Sequence, residues 1–334
     1  MKTLVPNTEF AHLASDEDKE GNMKAAQISQ YGDPSVVKVV EVDKPGASSG
    51  KVVVEVHAAS LNPFDTGLRA GYMQQMIPLQ LPVTLGSDIA GIITEVGEGV
   101  EDVAVGDKVY GQTTLSAGNC GAFAEFTTAE AGKVAKTPEG VNFTEAASLP
   151  LVGVSALQAL TQAISLRPGQ KLFIHGGAGG IGCIAIQLAK HIGAYVATTA
   201  TGENISTVKA LGADEVIDYK AQDFAEVLHD YDAVFDTVGG EDFTKSLNVL
   251  KRGGVAVSMR AQADEAKAQE LGVTAQSQLT QVTTTALNTL RELVEAGAVK
   301  PHVGKVFALD DVQAAFTARD SGAVKGKVVL EIKK

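Results

Sequence analysis

The sequence predicts a two-domain α/β protein in which a doubly wound parallel sheet interrupts a barrel-like β unit. Three observations support this fold class: a length of 334 residues, a series of short strands before about residue 144, and a strand–helix alternation after it. The length is too great for one small core and suits two domains of about 100 to 200 residues each. We therefore expect two domains.

Composition excludes several classes of function. The chain is 45% hydrophobic and 20% charged, which is typical of a globular protein. Its net charge of −12 argues against a nucleic-acid partner, because phosphate binding needs clustered Lys and Arg. No apolar run is long enough for a membrane span. The two cysteines, Cys120 and Cys183, form no C-x-x-C pair, so we expect a reducing, cytoplasmic location.

The first domain is predicted from a series of short strands. Residues 1–22 carry an acidic cluster and no signal-like apolar run, so we interpret them as an N-terminal extension. From Met23, glycine, proline and aspartate separate the strands at a spacing typical of a barrel-like unit, to which we assign residues 23–147. The predicted strands are residues 36–42, 51–58, 88–97, 106–111 and 121–126.

The second domain is predicted from alternation of strands with amphipathic helical patterns, which is typical of a parallel sheet covered by helices on both faces. We assign it residues 148–286. The last segment, 287–334, again reads strand, helix, strand, and is expected to return to the first domain. The predicted strands of the sheet are residues 171–175, 195–199, 215–217, 233–237 and 255–258.

The most informative segment is KLFIHGGAGGIGCIAIQLAKHIGA, where an apolar strand leads into a G-x-G-x-x-G turn and then a helix. In this context the glycines permit a tight turn, close approach of a diphosphate, and close packing of helix on strand. The N-terminus of the helix supplies free N–H groups and a positive dipole end. We therefore expect a dinucleotide at Gly177, Ala178, Gly179, Gly180, Ile181 and Gly182.

The strand after this helix indicates NADPH rather than NADH. An NAD-selective site carries Asp or Glu at the end of that strand, where it holds the ribose 2′-hydroxyl. Here the strand end has no carboxylate, and Glu203 comes only in the following loop. Small polar residues leave room for a 2′-phosphate, and we expect Thr199, Thr201, Asn204 and Tyr219 to bind it.

At this point the chain resembles the medium-chain dehydrogenase/reductases, in particular their zinc-free quinone oxidoreductase and alkenal or enone reductase branch. The resemblance covers essentially everything after Met23. It rests on ordered motifs that include SLNPFDTGLRAG (60–71), LGSDIAGIITEVGEGV (85–100), VGDKVYG (105–111), SLPLVGVSALQAL (148–160), HGGAGGIG (175–182), LGADEVIDY (211–219), FDTVGG (235–240) and KGKVVLEI (325–332).

The resemblance implies a GroES-like catalytic barrel, a Rossmann-type nucleotide domain inserted in it, and a homodimer. It also implies which side chains meet the nicotinamide end of the cofactor. Asn62 is expected beside the nicotinamide ribose or the substrate carbonyl, although Asn before Pro63 is also a common turn former. The other residues that it places at the cofactor are Leu151, Val154, Thr237, Val238, Ser258, Met259, Arg260 and Lys327.

Two departures from family patterns bear on the chemistry. Zinc-dependent relatives carry Cys and His where this chain has Asn62 and Ser87, so we expect no zinc. Many quinone reductases of the branch carry a tyrosine where this chain has Gly67, which leaves Tyr72 as the candidate to fill that space. The departure at Gly67 tilts the expectation from quinones toward enones or a broad substrate range.

Without a metal or an evident acid, the site suits acceptors that are already electron-poor. We therefore expect an NADPH-dependent reductase acting on a quinone or an α,β-unsaturated carbonyl, with Asn62 and Tyr72 as its catalytic residues. The alternative is a non-catalytic protein that binds NADP(H) as a structural or regulatory ligand. His175 and Cys183 are expected to be packed structural residues.

Overall fold

The computed structural model describes residues 21–113 and 121–333. Most of the predicted extension, and Cys120, lie outside these residues. Within the described residues, the first part of the chain forms eight strands and three α-helices. The strands are β1 (Asn22–Ile28), β2 (Lys38–Asp43), β3 (Lys51–Ser60), β4 (Val83–Thr84), β5 (Asp88–Val96), β6 (Lys108–Gln112), β7 (Phe126–Glu130) and β8 (Val134–Lys136). The helices are α1 (Pro63–Ala70), α2 (Phe143–Ala147) and α3 (Pro150–Gln158).

The middle of the chain alternates strands and helices as predicted. The strands are β9 (Lys171–His175), β10 (Tyr195–Ala200), β11 (Glu215–Asp218), β12 (Tyr231–Asp236), β13 (Leu250–Ser258) and β14 (Thr274–Ser277). The helices are α4 (Gly180–Ile192), α5 (Asn204–Ala210), α6 (Phe224–Val227), α7 (Glu241–Ser246), α8 (Glu265–Leu271) and α9 (Thr284–Glu295). All pairings among these strands are parallel.

The six parallel strands lie in the order β11-β10-β9-β12-β13-β14. The chain first proceeds outward from β9 and then returns to its other side, so β9 marks the point where the winding reverses. Its alternating side chains explain the two layers of helices, because Leu172 and Ile174 belong to one hydrophobic core and Phe173 to another. Ligands of such sheets bind at the carboxyl ends of the strands at this reversal.

The chain then returns to the first unit through β15 (Val303–Ala308), α10 (Val312–Asp320) and β16 (Lys327–Glu331). Strand β16 pairs antiparallel with β3, with Leu330 opposite Ala59, and continues a sheet that also contains β5, β6 and β8. Strands from the first and last described parts of the chain therefore share one sheet. Among the described residues, no helix is both long and apolar enough to cross a bilayer.

One predicted strand of the barrel is wrong. Residues 121–126 make only an isolated bridge between Ala124 and Ala25, and the strand β7 begins at Phe126. The segment instead joins two neighbours, because the Phe123 amide donates to Leu85 while its carbonyl accepts from Ala26. The sequence analysis also missed the short or polar strands β1, β4, β8 and β14, which carry little apolar pattern.

Candidate active site

The glycine turn follows β9 at the reversal point of the parallel sheet. The left-handed backbone of the turn falls at Gly176, with φ of 89°, one residue before the first glycine of the motif. Gly177 and Gly182 are required by space. A Cβ at Gly177 would lie 2.1 Å from Thr198 Oγ1, and one at Gly182 would lie 2.3 Å from the Gly176 carbonyl oxygen.

The turn opens onto the N-terminus of α4, which begins at Gly180 as predicted. A Cβ at Gly179 would have only the Gly176 carbonyl oxygen near it, at 3.4 Å, so the space over this residue is open. The first-turn amides of a helix have no partner within the helix, and they point out of its N-terminus. These features fit a dinucleotide diphosphate, which needs main-chain donors, close approach and positive potential.

Asp236 organises the loops that follow the neighbouring strands. Its carboxylate accepts hydrogen bonds from His175 Nδ1 at 3.0 Å, from Ser258 Oγ at 2.6 Å, and from the amides of Val238 and Gly239. Burial alone would raise the pKa of Asp236, but these donors hold it below its usual value. The three strand ends β9, β12 and β13 are thereby connected through one buried carboxylate.

Several predicted cofactor residues lie in these loops. Thr237 Oγ1 donates to the His175 carbonyl at 2.8 Å and, like Val238, lies close to Gly176. Ser258 Oγ accepts from the amides of Arg260 and Ala261, so its side chain shapes the loop after β13. Met259 packs against the larger hydrophobic core, and its neighbour Arg260 is exposed.

The region beyond β10 holds the residues predicted at the 2′-phosphate. Thr199 is buried and its hydroxyl accepts from the Gly176 amide at 3.0 Å, so it supports the turn. Tyr219 is exposed, Thr201 is half-buried, and Asn204 begins α5 with its buried Oδ1 lacking a hydrogen-bond partner. No carboxylate ends β10, as the sequence analysis expected.

The barrel contributes a buried network centred on Asp88. This carboxylate accepts from Asn62 Nδ2 at 2.9 Å, from Gln112 Nε2 at 2.8 Å, and from Ser60 Oγ and the Leu151 amide at 3.3 Å. Asn62 is itself completely buried at the start of α1, where its backbone N–H donates to Asp65. Hydrogen bonds therefore hold both the side chain and the main chain of Asn62 in place.

Lys327 joins this network to the glycine turn. Its Nζ donates to Asn62 Oδ1 and to the Leu61 carbonyl, and lies 3.8 Å from Asp88 Oδ2. Its aliphatic stem lies 3.2 Å from the position that a Cβ at Gly180 would take. Burial lowers the pKa of Lys327, while the carboxylates of Asp88 and Asp65 oppose that shift. Asn62, Leu151, Gly180 and Lys327, predicted from distant segments, therefore lie together.

Asp65 is a second buried carboxyl group beside this network. We refer to the side chains of Asn62, Asp65, Asp88, Gln112 and Lys327 together as the barrel wall. Asp65 is fully buried in α1, and burial raises its pKa to about 7. Its Oδ2 accepts from the Asn62 amide at 2.7 Å, but its Oδ1 has no hydrogen-bond partner. A proton on the unpartnered oxygen removes the cost of burying a second negative charge beside Asp88.

Two predicted residues lie apart from this cluster. Val154 is fully buried in the hydrophobic core, whereas the side chain of Val152, which the sequence analysis did not single out, lies against Gly180. Tyr72 lies on the turn after α1 and is 85% exposed. The space beside Gly67 is occupied by Met73, whose sulfur lies 3.3 Å from the position of an added Cβ.

The residues of the site do not fit a zinc ion. The oxygen of Asn62, at the position of a cysteine in zinc-dependent relatives, already accepts from Lys327, and its nitrogen donates to Asp88. Across residues 21–113 and 121–333, no group of three or more His, Cys, Asp or Glu side chains is placed to hold a metal. An amide and an amine offer none of the thiolate or imidazole donors that zinc prefers.

The sequence analysis missed Asp88, Gln112 and Asp236. Asp88 and Asp236 each adjoin an apolar strand segment, and a charge in such a place is buried only when it is paired. That signal was available. Gln112 gave none, because a glutamine at a strand end is usually solvated.

Two family models match the chain. The model described as "Alcohol dehydrogenase GroES-like domain" matches residues 48–139, and the model described as "Zinc-binding dehydrogenase" matches residues 211–330. The first falls in the barrel, and the second runs from the parallel sheet into the returning segment. Together with the fold, they define a two-domain oxidoreductase.

Similarity to individual proteins indicates the branch of oxidoreductases more closely than the family models do. The 2-methylene-furan-3-one reductase of Solanum lycopersicum is 34% identical, covering 92% of this chain and 79% of that protein. The chloroplastic NADPH-dependent alkenal/one oxidoreductase of Arabidopsis thaliana is 33% identical, covering 96% and 82%. The structure of the quinone oxidoreductase from Coxiella burnetii superposes with a TM-score of 0.85 at 35% identity, covering 93% of this chain and all of that one.

The chain belongs to the medium-chain dehydrogenase/reductase family, in its quinone oxidoreductase and enone reductase branch. The Escherichia coli quinone oxidoreductase, solved in complex with NADPH, has the same fold, with a TM-score of 0.84 at 28% identity over 92% of this chain and 99% of that one. The fold class and the family expected from the sequence are thus confirmed.

Proposed function

We propose that the protein is an NADPH-dependent, metal-free reductase of quinones or α,β-unsaturated carbonyl compounds. The observation that carries this proposal is the proximity of Lys327 to Gly180, where its stem lies 3.2 Å from the position of an added Cβ. Since Lys327 also donates to Asn62, the proposed diphosphate position adjoins the buried Asn62–Asp88 network. The relatives named for alkenal/one and quinone reduction support the substrate class.

The nucleotide domain binds the cofactor, which supplies a hydride to the activated acceptor when bound. The amides of Ala178 and of Gly180–Gly182 hold the diphosphate, and Asp236 keeps the loop at Val238 and Gly239 in position beneath the reactive end. The predicted contacts of Thr201, Asn204, Tyr219, Met259 and Arg260 belong to this proposal.

The barrel stabilises the oxygen of the acceptor. Asn62 Nδ2 carries two hydrogens, of which one is donated to Asp88. We assign the second to the oxyanion that develops on the acceptor, which requires that cofactor and acceptor binding expose an amide that is fully buried in this structure. One preorganised donor of this kind contributes about 100-fold to kcat. Lys327 and Asp88 orient the amide, and water supplies the final proton.

The remaining assignments are part of the same proposal. The nucleotide domain extends over residues 148–286, with the catalytic domain formed by 23–147 and 287–334. The protein acts as a cytoplasmic homodimer. The relatives include chloroplastic and mitochondrial proteins, so fractionation of native cells is the direct test of location.

The test is a panel assay of the purified protein that follows the loss of NADPH absorbance with 9,10-phenanthrenequinone, 1,4-naphthoquinone and small alkenals. Turnover is expected with at least one class, and faster with NADPH than with NADH. Elemental analysis of the same preparation is expected to show no stoichiometric zinc. Tight NADPH binding without turnover on any acceptor would favour a structural or regulatory role instead.

A further inference from the structure

An ion pair connects the two domains beyond the end of β10. Lys325 Nζ, in the segment that leads into β16, lies 2.5 Å from Glu203 Oε2. Glu203 occupies the N-cap position of α5 without a side-chain capping hydrogen bond, and its side chain is 89% exposed. The hydrogen bond from Lys325 holds the pKa of Glu203 below its usual value. An exposed ion pair contributes little to the free energy of unfolding, so stability does not explain why Lys325 and Glu203 are paired here.

The position is that of the adenosine ribose. In this sheet topology the residue that follows the second strand reads the ribose 2′ group, and a carboxylate there selects the hydroxyl of NADH. Glu203 is the one carboxylate in the loop Thr201–Glu203 that follows β10. Its charge would repel a 2′-phosphate, but here it is engaged by a lysine from the opposite domain.

The lysine is fixed at its backbone. A Cβ at Gly304 in β15 would lie 1.6 Å from the Lys325 carbonyl oxygen. The main chain of β15 is therefore in close contact with the segment that leads into β16. The next residue, Gly326, has φ of 79°, and a Cβ there would lie 2.5 Å from the His302 carbonyl oxygen. The root of the Lys325 side chain is therefore held rigidly over the nucleotide domain.

Two lysines of this segment thus reach two points of the proposed cofactor site. Lys327 contacts Gly180 at the diphosphate seat, and Lys325 reaches the loop after β10. We propose that Lys325 is the specificity-determining cation of the site: it neutralises Glu203 in the free protein and pairs with the 2′-phosphate when NADPH binds. This inference rests on the proposed function and names the group that selects its cofactor.

The exchange of partners has a physical basis. A phosphate monoester carries close to two negative charges at neutral pH and offers three acceptor oxygens, whereas Glu203 offers one charge. Lys325 is only partly exposed at the Glu203 loop, so moving to a neighbouring phosphate requires rotation of its side chain and no movement of its fixed backbone. The 2′-hydroxyl of NADH offers no charge for which Lys325 would leave Glu203.

The experiment is calorimetric titration of the full chain with adenosine 2′,5′-bisphosphate and with adenosine 5′-phosphate, which differ only in the 2′-phosphate. The wild type is expected to bind the bisphosphate more tightly. Lys325→Met is expected to weaken the bisphosphate about 10-fold or more and the monophosphate less than about 2-fold, since a hydrogen bond to a charged group is lost. Lys325→Arg keeps the preference. Glu203→Gln strengthens bisphosphate binding.

The matched control is Lys24→Met, which removes another exposed lysine, paired with Asp310 at 3.3 Å in the barrel. It is expected to leave both titrations unchanged. If Lys325→Met keeps the wild-type preference, or weakens both ligands equally, the inference about Lys325 is overturned while the proposed function stands. If the wild type binds neither ligand, the proposed cofactor is overturned as well.

Discussion

The glycine turn and the barrel wall meet at Gly180, yet they form their halves of the site by different means. The turn is one continuous segment whose glycines leave space and whose main chain supplies the donors. The wall is built from side chains of separate strands, with Asp88 accepting from Asn62 and Gln112, and Lys327 donating to Asn62. The turn should therefore be sensitive to added atoms, and the wall to lost partners.

Removing the Lys327 amine from the barrel wall should have the largest effect of the changes considered, a loss of stability. Lys327→Met leaves Asn62 Oδ1 and the Leu61 carbonyl without their donor and removes the cation nearest Asp88. We expect a loss of about 3 kcal/mol in the free energy of unfolding, measured by urea denaturation, as for a broken buried pair. Adding Asp88→Asn should restore part of this loss.

The control for that measurement is Lys136→Met, which breaks an exposed pair with Asp107 at 3.1 Å. It should change the free energy of unfolding by less than about 1 kcal/mol. Equal losses for the two single variants would show that the wall is not held by partnered charges.

The next effect is one added methyl group in the turn. Gly179→Ala places its Cβ in open space without a positive φ, so the fold should survive with little change in Tm. The same methyl group occupies the space that a diphosphate needs, and we expect NADPH binding to weaken about 100-fold in a fluorescence titration.

Gly132→Ala is the matched control, because nothing lies within 4 Å of its added Cβ. It should leave NADPH affinity unchanged. Unaltered binding in Gly179→Ala would contradict the placement of the diphosphate over this residue.

A smaller loss is expected where side chains support the turn's neighbouring loops. Ser258→Ala removes the 2.6 Å hydrogen bond to Asp236 and the acceptor for the Arg260 and Ala261 amides. Because the loops lie beside the cofactor seat without supplying its main donors, we expect the Kd for NADPH to rise about 10-fold. The control is Ser246→Ala, which removes a buried 2.7 Å hydrogen bond to the Phe243 carbonyl within α7 and should not change the Kd. A matching rise there would point to general loosening of the domain.

The smallest effect concerns the protonation of the wall. Asp65 has a pKa of about 7 in the folded protein against 3.8 for an ordinary carboxyl group. The folded state binds this proton more tightly, so the group's contribution to stability is complete below about pH 4 and is lost as pH rises through 7. Asp65→Asn, which keeps the acceptor for the Asn62 amide, has no such proton.

The measurement is Tm for both proteins from pH 5 to 8. The Tm of the wild type should fall relative to that of Asp65→Asn by about 3 °C as pH rises. Parallel curves would show that Asp65 is ionised throughout this range. The comparison removes the contribution of every other titrating group.

The sequence predicted the turn well and the wall poorly, for one physical reason. A main-chain site is encoded by consecutive residues, so Gly177, Gly179 and Gly182 could be located by spacing alone. The wall depends on which strands pair, and the pairing of β16 with β3 and of β3 with β5 brings Lys327 and Asp88 to Asn62. No local pattern encodes that pairing, and only the family resemblance indicated Asn62 and Lys327.

The same reasoning explains the residues that were misplaced or missed. The resemblance indicated Val154, but helix α3 directs Val152 toward Gly180 and Val154 into the core. Tyr72 was proposed from proximity in sequence to Gly67, and the sharp turn after α1 instead brings Met73 to that space. In both cases the direction of the side chain decides which residue faces the site. A shift of one or two residues along the chain reverses that direction.

The packing of α4 around Cys183 has a consequence under the proposed function. Quinones and enones alkylate thiolates, and Cys183 lies only a few residues beyond the diphosphate seat. Burial raises the pKa of its thiol to about 12, so the sulfur stays protonated and enclosed at neutral pH. Under the proposed function, the helix at the diphosphate position therefore carries a sulfur that electrophilic acceptors cannot readily alkylate.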